Sequence, residues 1–123
     1  MPLLKLPETE LLMMRILWDH GEQVRSDTIV SEFGKHKNWE RSAILTTLHR
    51  LEEKGFLRCA KNGRYNCYSA IITEEQYLSF IGKSFLETIC GNSVKKLVAT
   101  LYQNKDISKE DLEELRRFIE EVE

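Results

Sequence analysis

Residues 41–69 read RSAILTTLHRLEEKGFLRCAKNGRYNCYS, and the fold turns on this stretch. Ile44, Leu48 and Leu51 stand at i, i+4 and i+7, which places them on one face of a helix, and Gly55 follows as its C-terminal stop. The spacing predicts a helix near residues 40–54. Beyond it, Phe56 to Lys61 and Arg64 to Ser69 flank Asn62-Gly63, the dipeptide that best suits a type I′ turn because both central residues there need positive φ. These are two strands of a hairpin. On an Asn62-Gly63 turn Cys59 opposes Asn66 and Cys67 opposes Arg58, so the two thiols lie on opposite faces and no disulfide closes the hairpin.

Working back from this stretch, Ser26 is the expected N-cap of a short helix that carries Ile29, Val30 and Phe33 and ends at Gly34. Before it lies the short extended segment Gln23-Val24-Arg25, which is preceded by a first helix. Pro7 fits that helix's first turn, Glu8 and Glu10 its positive dipole end, Leu11, Met14, Leu17 and Trp18 its apolar face, and Gly21 its end. Helix, short helix, turn, helix and hairpin in that order make a winged helix-turn-helix, in which the third helix enters the DNA major groove and a two-stranded wing touches the flanking backbone.

Working forward, Thr73-Glu74-Glu75-Gln76 is a capping box stapled by Ile72 and Tyr77, and Leu78, Ile81, Phe85 and Ile89 stripe the helix it opens. Gly91-Asn92 breaks that helix. Ser93 caps a fifth, with Val94, Leu97, Val98 and Leu101 on one side, and Ser108 to Asp111 is a looser capping sequence for a sixth, with Leu112, Leu115, Ile119 and Val122. The fold class is therefore mainly α with a small β-hairpin. A winged-helix domain is expected over residues 1–72 and a helical dimerisation domain over residues 73–123. Fifty-one residues with three apolar stripes are too few to bury them alone, so Phe85, Ile89, Leu97, Leu101, Leu112, Leu115, Ile119 and Val122 are the expected seam of a homodimer.

The net charge of −2 conceals an asymmetry, since residues 1–72 carry +2 and residues 73–123 carry −4. Between Lys35 and Arg64 eight Lys and Arg stand against three Glu, a local net of +5. The face of the third helix opposite its apolar side shows Ser42, Thr46 and His49, flanked by Ala43, Leu45 and Arg50. Small side chains let a helix approach base edges, hydroxyls bond bases or phosphates, and Ala43 or Leu45 suits a thymine methyl. Leu45 also suits the edge of the core, and periodicity does not choose between the two. Arg41, His49 and Arg50 on the helix, with Lys61 and Arg64 at the wing tip, are candidates for phosphate.

Other classes find less support. The apolar runs fall well short of the roughly 18 residues of a membrane span. The N-terminus lacks the apolar core and cleavage site of a secretory signal, so a cytoplasmic location without membrane insertion is expected. Cys59, Cys67 and Cys90 show no metal-ligand spacing and read as inert thiols, and neither a metal nor a cofactor is expected. His20, His36 and His49 lack a recognisable catalytic partner set and no phosphate-binding loop occurs, so the chain does not read as an enzyme. A winged helix that binds protein rather than DNA is the alternative, because few arginines line the recognition face.

The chain resembles the penicillinase repressors of the BlaI/MecI/CopY type along nearly its whole length. The resemblance rests on Glu10 to Trp18 in the first helix and on Trp39, Ile44, Thr46, Leu48, Arg50-Leu51 and Lys54-Gly55-Phe56 around the third. It extends to Gly63-Arg64-Tyr65 with Tyr68 in the wing, and to Asp106-Ile107-Ser108 through Arg116 in the last helix. It implies a dimeric transcriptional repressor on a palindromic operator, with double-stranded DNA, a second copy of the chain, and a sensor or ligand as partners. A resistance or stress-response operon is the kind of target it implies. The base-reading positions of the family fall on Ser42, Ala43, Leu45 and Thr46. Relatives carry a basic residue where Leu45 stands, which removes a guanine-binding fork and implies a different operator. Thr100-Leu101 replaces the Asn-Phe pair at which antibiotic-responsive relatives are cleaved. The paired Cys-x-Cys motifs of copper-responsive relatives are likewise missing from a chain with no cysteine after Cys90.

Overall fold

A computed structural model describes residues 4–122; residues 1–3, part of the segment read for a secretory signal, and residue 123 lie outside the described residues. In chain order the elements are α1 (Glu8–His20), β1 (Val24–Arg25), α2 (Ser26–Gly34), α3 (Arg41–Glu53), β2 (Leu57–Asn62), β3 (Tyr65–Ala70), α4 (Glu74–Thr88), α5 (Val94–Gln103) and α6 (Lys109–Glu121). The chain divides into two compact units between Ile81 and Gly82.

In the first unit, the apolar faces read from the sequence meet in one core. Met13, Met14 and Leu17 of α1, Ile29 and Phe33 of α2, and Ile44, Leu48 and Leu51 of α3 have no exposed surface. Each such side chain contributes about 1.5–3 kcal/mol by leaving water. Phe56 and Leu57 close the core at the entrance to the sheet. Gly55, at φ 82°, turns the chain out of α3, and the Phe56 N–H then donates back to the Leu51 carbonyl at 3.0 Å. Tyr77 joins the same core. Its hydroxyl accepts from the Leu6 N–H at 2.7 Å, and its ring packs 5.9 Å from Phe56 and 6.0 Å from Trp18 between centroids. The first two turns of α4 thereby belong to this unit.

Four local expectations are corrected. The wing sheet has three strands, in the order β1-β3-β2, because Val24 and Arg25 pair with Tyr68 and Cys67. Two residues are too few to show an alternating pattern in sequence, yet they satisfy backbone groups of β3 that a two-stranded hairpin would leave open. Pairing also draws Arg25 into an extended conformation, so Arg25 occupies the N-cap of α2 and Ser26 is its first residue, with no side-chain cap. Pro7 similarly stands at the N-cap of α1 rather than inside its first turn.

The fourth correction is the hairpin register. Asn62 pairs with Tyr65, Cys59 with Tyr68 and Ala60 with Cys67, so the turn residues are Gly63-Arg64. Only Gly63 in this turn has positive φ, 68°, the requirement of a type II′ turn with glycine first. The expected register differs by one residue on each strand, which keeps every side chain on its face. Burial alternation therefore could not separate the two registers, and the thiols of Cys59 and Cys67 do lie on opposite faces. All three cysteines are free.

In the second unit the caps are as read. The Ser93 hydroxyl accepts from the Lys96 N–H at 3.1 Å, and Ser108 and Asp111 form a reciprocal capping box at 2.7 and 3.1 Å. Gly91 and Asn92, at φ 57° and 64°, end the preceding helix with two left-handed residues. Neither α5 nor α6 has a buried side chain. Among the described residues no helix is long and apolar enough to cross a membrane.

Candidate nucleic-acid interface

Helix α3 divides sharply between an inner face of Ile44, Thr47, Leu48 and Leu51 and an outer face of Arg41, Ser42, Ala43, Thr46, His49 and Arg50. Its N-terminal half presents small side chains beside a shallow groove lined by Trp39, Ser42, Ala43, Thr46, Thr47 and Arg50. The Trp39 ring is fixed there by Phe33, 5.0 Å away between centroids. Thr46 donates its hydroxyl proton to the Ser42 carbonyl at 2.9 Å, which holds its side chain against the helix with oxygen lone pairs still free to accept. Leu45 is half-buried and packs on the core. The sequence left core and base contact open for this residue, and the core claims much of its surface.

The cations divide into engaged and free. Lys54, counted in the basic stretch, is bound to the buried carboxylate of Glu10 at 2.5 Å. His49 has its ring nitrogens 3.7 Å from Glu52 and 3.6 Å from Glu53, so carboxylates surround the position from which it would meet a phosphate. Arg50, Lys61 and Arg64 are exposed, and the geometry gives none of them an ion-pair partner among the described residues. Arg41 lies 3.2 Å from Asp27 and donates weakly to the Ser26 hydroxyl at 3.5 Å.

A cation outside the basic stretch joins them. The Arg25 guanidinium lies 3.5 Å from the centroid of the Tyr65 ring and 3.6 Å from Asp27. Through Asp27 it is grouped with Arg41, so β1, the wing and the start of α3 share one cationic corner. Sequence reading missed Arg25 because nothing in its neighbours marks a residue that pairs with β3. The available signal was the arginine beside an acidic helix start at Asp27, which is too common to single out.

The wing is tied to α3 at its base. The Cys59 N–H donates to the Glu52 carboxylate at 3.4 Å, and the Gln23 N–H donates to the Ser69 hydroxyl at 2.9 Å. Between them sits buried Tyr68, whose phenol is pushed up to about 12 by burial first and by the neighbouring Cys59 and Glu52 next. Among the described residues no group of three or more His, Cys, Asp or Glu is placed to hold a metal ion.

In the second unit, Phe85, Ile89, Leu115, Ile119 and Val122 are exposed, while Leu97, Leu101 and Leu112 are half-buried. The outer edge of α6 with its C-cap shows Phe118 at 58%, Ile119 at 51% and Val122 at 65% exposure, an apolar surface with nothing of its own unit to cover it.

Comparison with known proteins adds the family. The penicillinase repressor profile matches residues 6–121. The penicillinase repressor of Bacillus licheniformis is 29% identical over 95% of this chain and 91% of its own length. The methicillin resistance regulatory protein MecI of Staphylococcus aureus is 24% identical over 94% of this chain and 93% of its own. Among solved structures, the monomeric form of B. licheniformis BlaI in complex with the blaP half-operator aligns with a TM-score of 0.54. It is 30% identical and covers 62% of this chain and 92% of that one. With an outer helix face, a wing and a matching profile that spans nearly every residue, the chain belongs to the penicillinase repressor family.

Proposed function

We propose that the protein is a DNA-binding transcriptional repressor that acts as a homodimer on a palindromic operator. The observation that carries this reading is the outer face of α3, where Ser42, Ala43 and Thr46 stand clear of the core with Arg41, Arg50 and the wing cations Lys61 and Arg64 around them. Small groups at the helix start suit close approach to base edges, and the flanking cations suit the phosphates on either side. The BlaI relative solved in complex with a half-operator supports DNA as the partner. Its named relatives are repressors rather than enzymes.

Dimerisation is supported by the unburied apolar faces of α5 and α6, which a second copy would cover. Binding domains linked in this way multiply their affinities through effective concentration. A location in the cytoplasm accords with this role. Release is assigned to a ligand or partner that favours a dimer geometry with mismatched recognition helices, since Thr100-Leu101 stands where relatives have a cleavable pair.

Selection from a random duplex library with the full chain, followed by footprinting, tests the reading. An inverted repeat with half-sites about one helical turn or a multiple apart is expected, with affinity that falls steeply with salt. Failure to enrich any sequence, with salt-insensitive capture of a protein instead, would replace it by the protein-binding alternative.

A further inference from the structure

We propose that Asp27 is a built-in competitor for a backbone-phosphate site formed by Arg25 and Arg41. The proposal rests on the DNA-binding reading above and adds to it a site and a residue that opposes binding there. The two carboxylate oxygens of Asp27 are divided between two guanidinium groups. Oδ1 lies 3.2 Å from Arg41 Nη1 and Oδ2 lies 3.6 Å from Arg25 Nη2. The two arginines reach this point from β1 and from the first residue of α3, which are 16 positions apart in sequence. Each has a second support that does not depend on Asp27. Arg25 rests on the Tyr65 ring at 3.5 Å, and Arg41 reaches the Ser26 hydroxyl at 3.5 Å.

This arrangement has the chemistry of a phosphodiester site with an anion already in it. Two planar forks converge on one carboxylate, and the same forks match the oxygens of a phosphate. The three ionic side chains are each about half exposed, at 47%, 52% and 55%, so the ion pairs are weakly held and open to exchange. The stacked ring is what keeps Arg25 in position when the carboxylate lets go. Asp27 also stands in the first turn of α2, where its charge opposes any second anion drawn to that helix start. The location is the DNA side of the domain, since Arg41 begins the helix whose next residues, Ser42 and Ala43, face outward.

A bound phosphate must therefore displace Asp27, and the freed carboxylate then repels it. Removing the charge leaves two cations where the native corner has a net of one. Backbone contacts carry no sequence information, so the gain applies to any duplex.

The test measures binding of the full chain, by fluorescence anisotropy over a salt series, to the selected operator and to a random-sequence duplex. Asp27→Asn and Asp27→Ser, both compatible with a helix start, should tighten binding to both DNAs by about tenfold, the sum of two exposed ion pairs lost as competitors. The slope of log affinity against log salt should steepen by about 1, one additional phosphate neutralised. Arg25→Gln should weaken both DNAs alike, and in the Asp27→Asn background it should abolish most of the gain. Thermal melting confirms that each variant is folded. Unchanged or weaker binding by the folded Asp27 variants, with native binding intact, would overturn the competitor role alone. A native chain with no salt-dependent DNA binding would overturn the DNA reading and this site with it.

Discussion

Lys54, the residue that follows α3, places its ammonium 2.5 Å from the carboxylate of Glu10 in the first turn of α1, across 44 positions of sequence. Glu10 is 7% exposed, so this is the one ion pair among the described residues with a buried partner, and it anchors the exit of α3 to the first turn of α1. Lys54→Ala leaves the carboxylate buried without its cation. Urea denaturation should show a loss of about 1–3 kcal/mol, below the fully buried limit because Lys54 itself is half-buried. The salt slope of DNA binding should not change. A slope shallower by about 1 would make Lys54 a phosphate contact instead.

The outer face of α3 and the wing tip should differ in what they read. Arg64→Ala is expected to weaken all sequences about equally and to reduce the salt slope by about 1, since a phosphate contact is blind to sequence. Thr46→Ala should instead change base preference at one position in each half-site, which repeated library selection would reveal. The opposite pattern would exchange the two roles.

Tyr77 makes the first turns of α4 part of the winged-helix core, so where the chain is cut matters. A fragment of residues 1–81 should melt cooperatively, whereas one of residues 1–72 loses the Tyr77 ring and the hydroxyl that binds the Leu6 N–H. Large aromatic truncations in a core cost about 3–5 kcal/mol, and Tyr77→Ala in the full chain should show a loss of that order by calorimetry or urea. Equal stability of the two fragments would place the boundary nearer Thr73.

The exposed apolar edge of α6 predicts a sensitive seam. Leu115→Asp and Ile119→Asp should each shift the full chain from dimer to monomer at micromolar concentration in sedimentation, and operator affinity should fall far more than that of a single half-site. Variants that remain dimeric would move the interface away from α6.

Alkaline stability should follow Tyr68. Its phenol ionises at about 12 in the folded protein, above the ordinary value of about 10, so the folded state holds this proton more tightly than the unfolded chain. That contribution is fully present below about pH 10 and is lost as the pH rises from there through 12. Tyr68→Phe should flatten the alkaline loss, read by circular dichroism alongside tyrosinate absorbance. Ionisation of Tyr68 with the ordinary tyrosines and no loss of structure would contradict the burial argument.

The bond between Thr100 and Leu101, which stands where the family resemblance places a cleaved Asn-Phe pair, should also stay intact in the cell. Thr100 and Leu101 lie inside α5, where the Thr100 carbonyl accepts from the Asn104 N–H at 3.1 Å and its hydroxyl donates to the Lys96 carbonyl at 2.8 Å. A protease needs local opening to reach this bond. Cells carrying the protein and exposed to a β-lactam should retain it intact on an immunoblot, and fragments ending at Thr100 would refute this.

The helices were determined by the sequence alone because their signals are local. Periodic apolar positions, the Thr73–Gln76 and Ser108–Asp111 boxes and the Gly21, Gly55 and Gly91 stops all act within a few residues of where they stand. The outer face of α3 was legible for the same reason, since one apolar stripe defines its opposite. The hairpin was legible but its register was not, because a shift by one residue on each strand preserves every face and leaves the choice to turn geometry at Gly63. Only the tertiary structure decided which cations are free. Lys54 is taken by Glu10, and Arg25 by a corner that Asp27, Arg41 and Tyr65 complete. Those partners come from separate elements, and their meeting depends on how the elements pack, which no local pattern encodes.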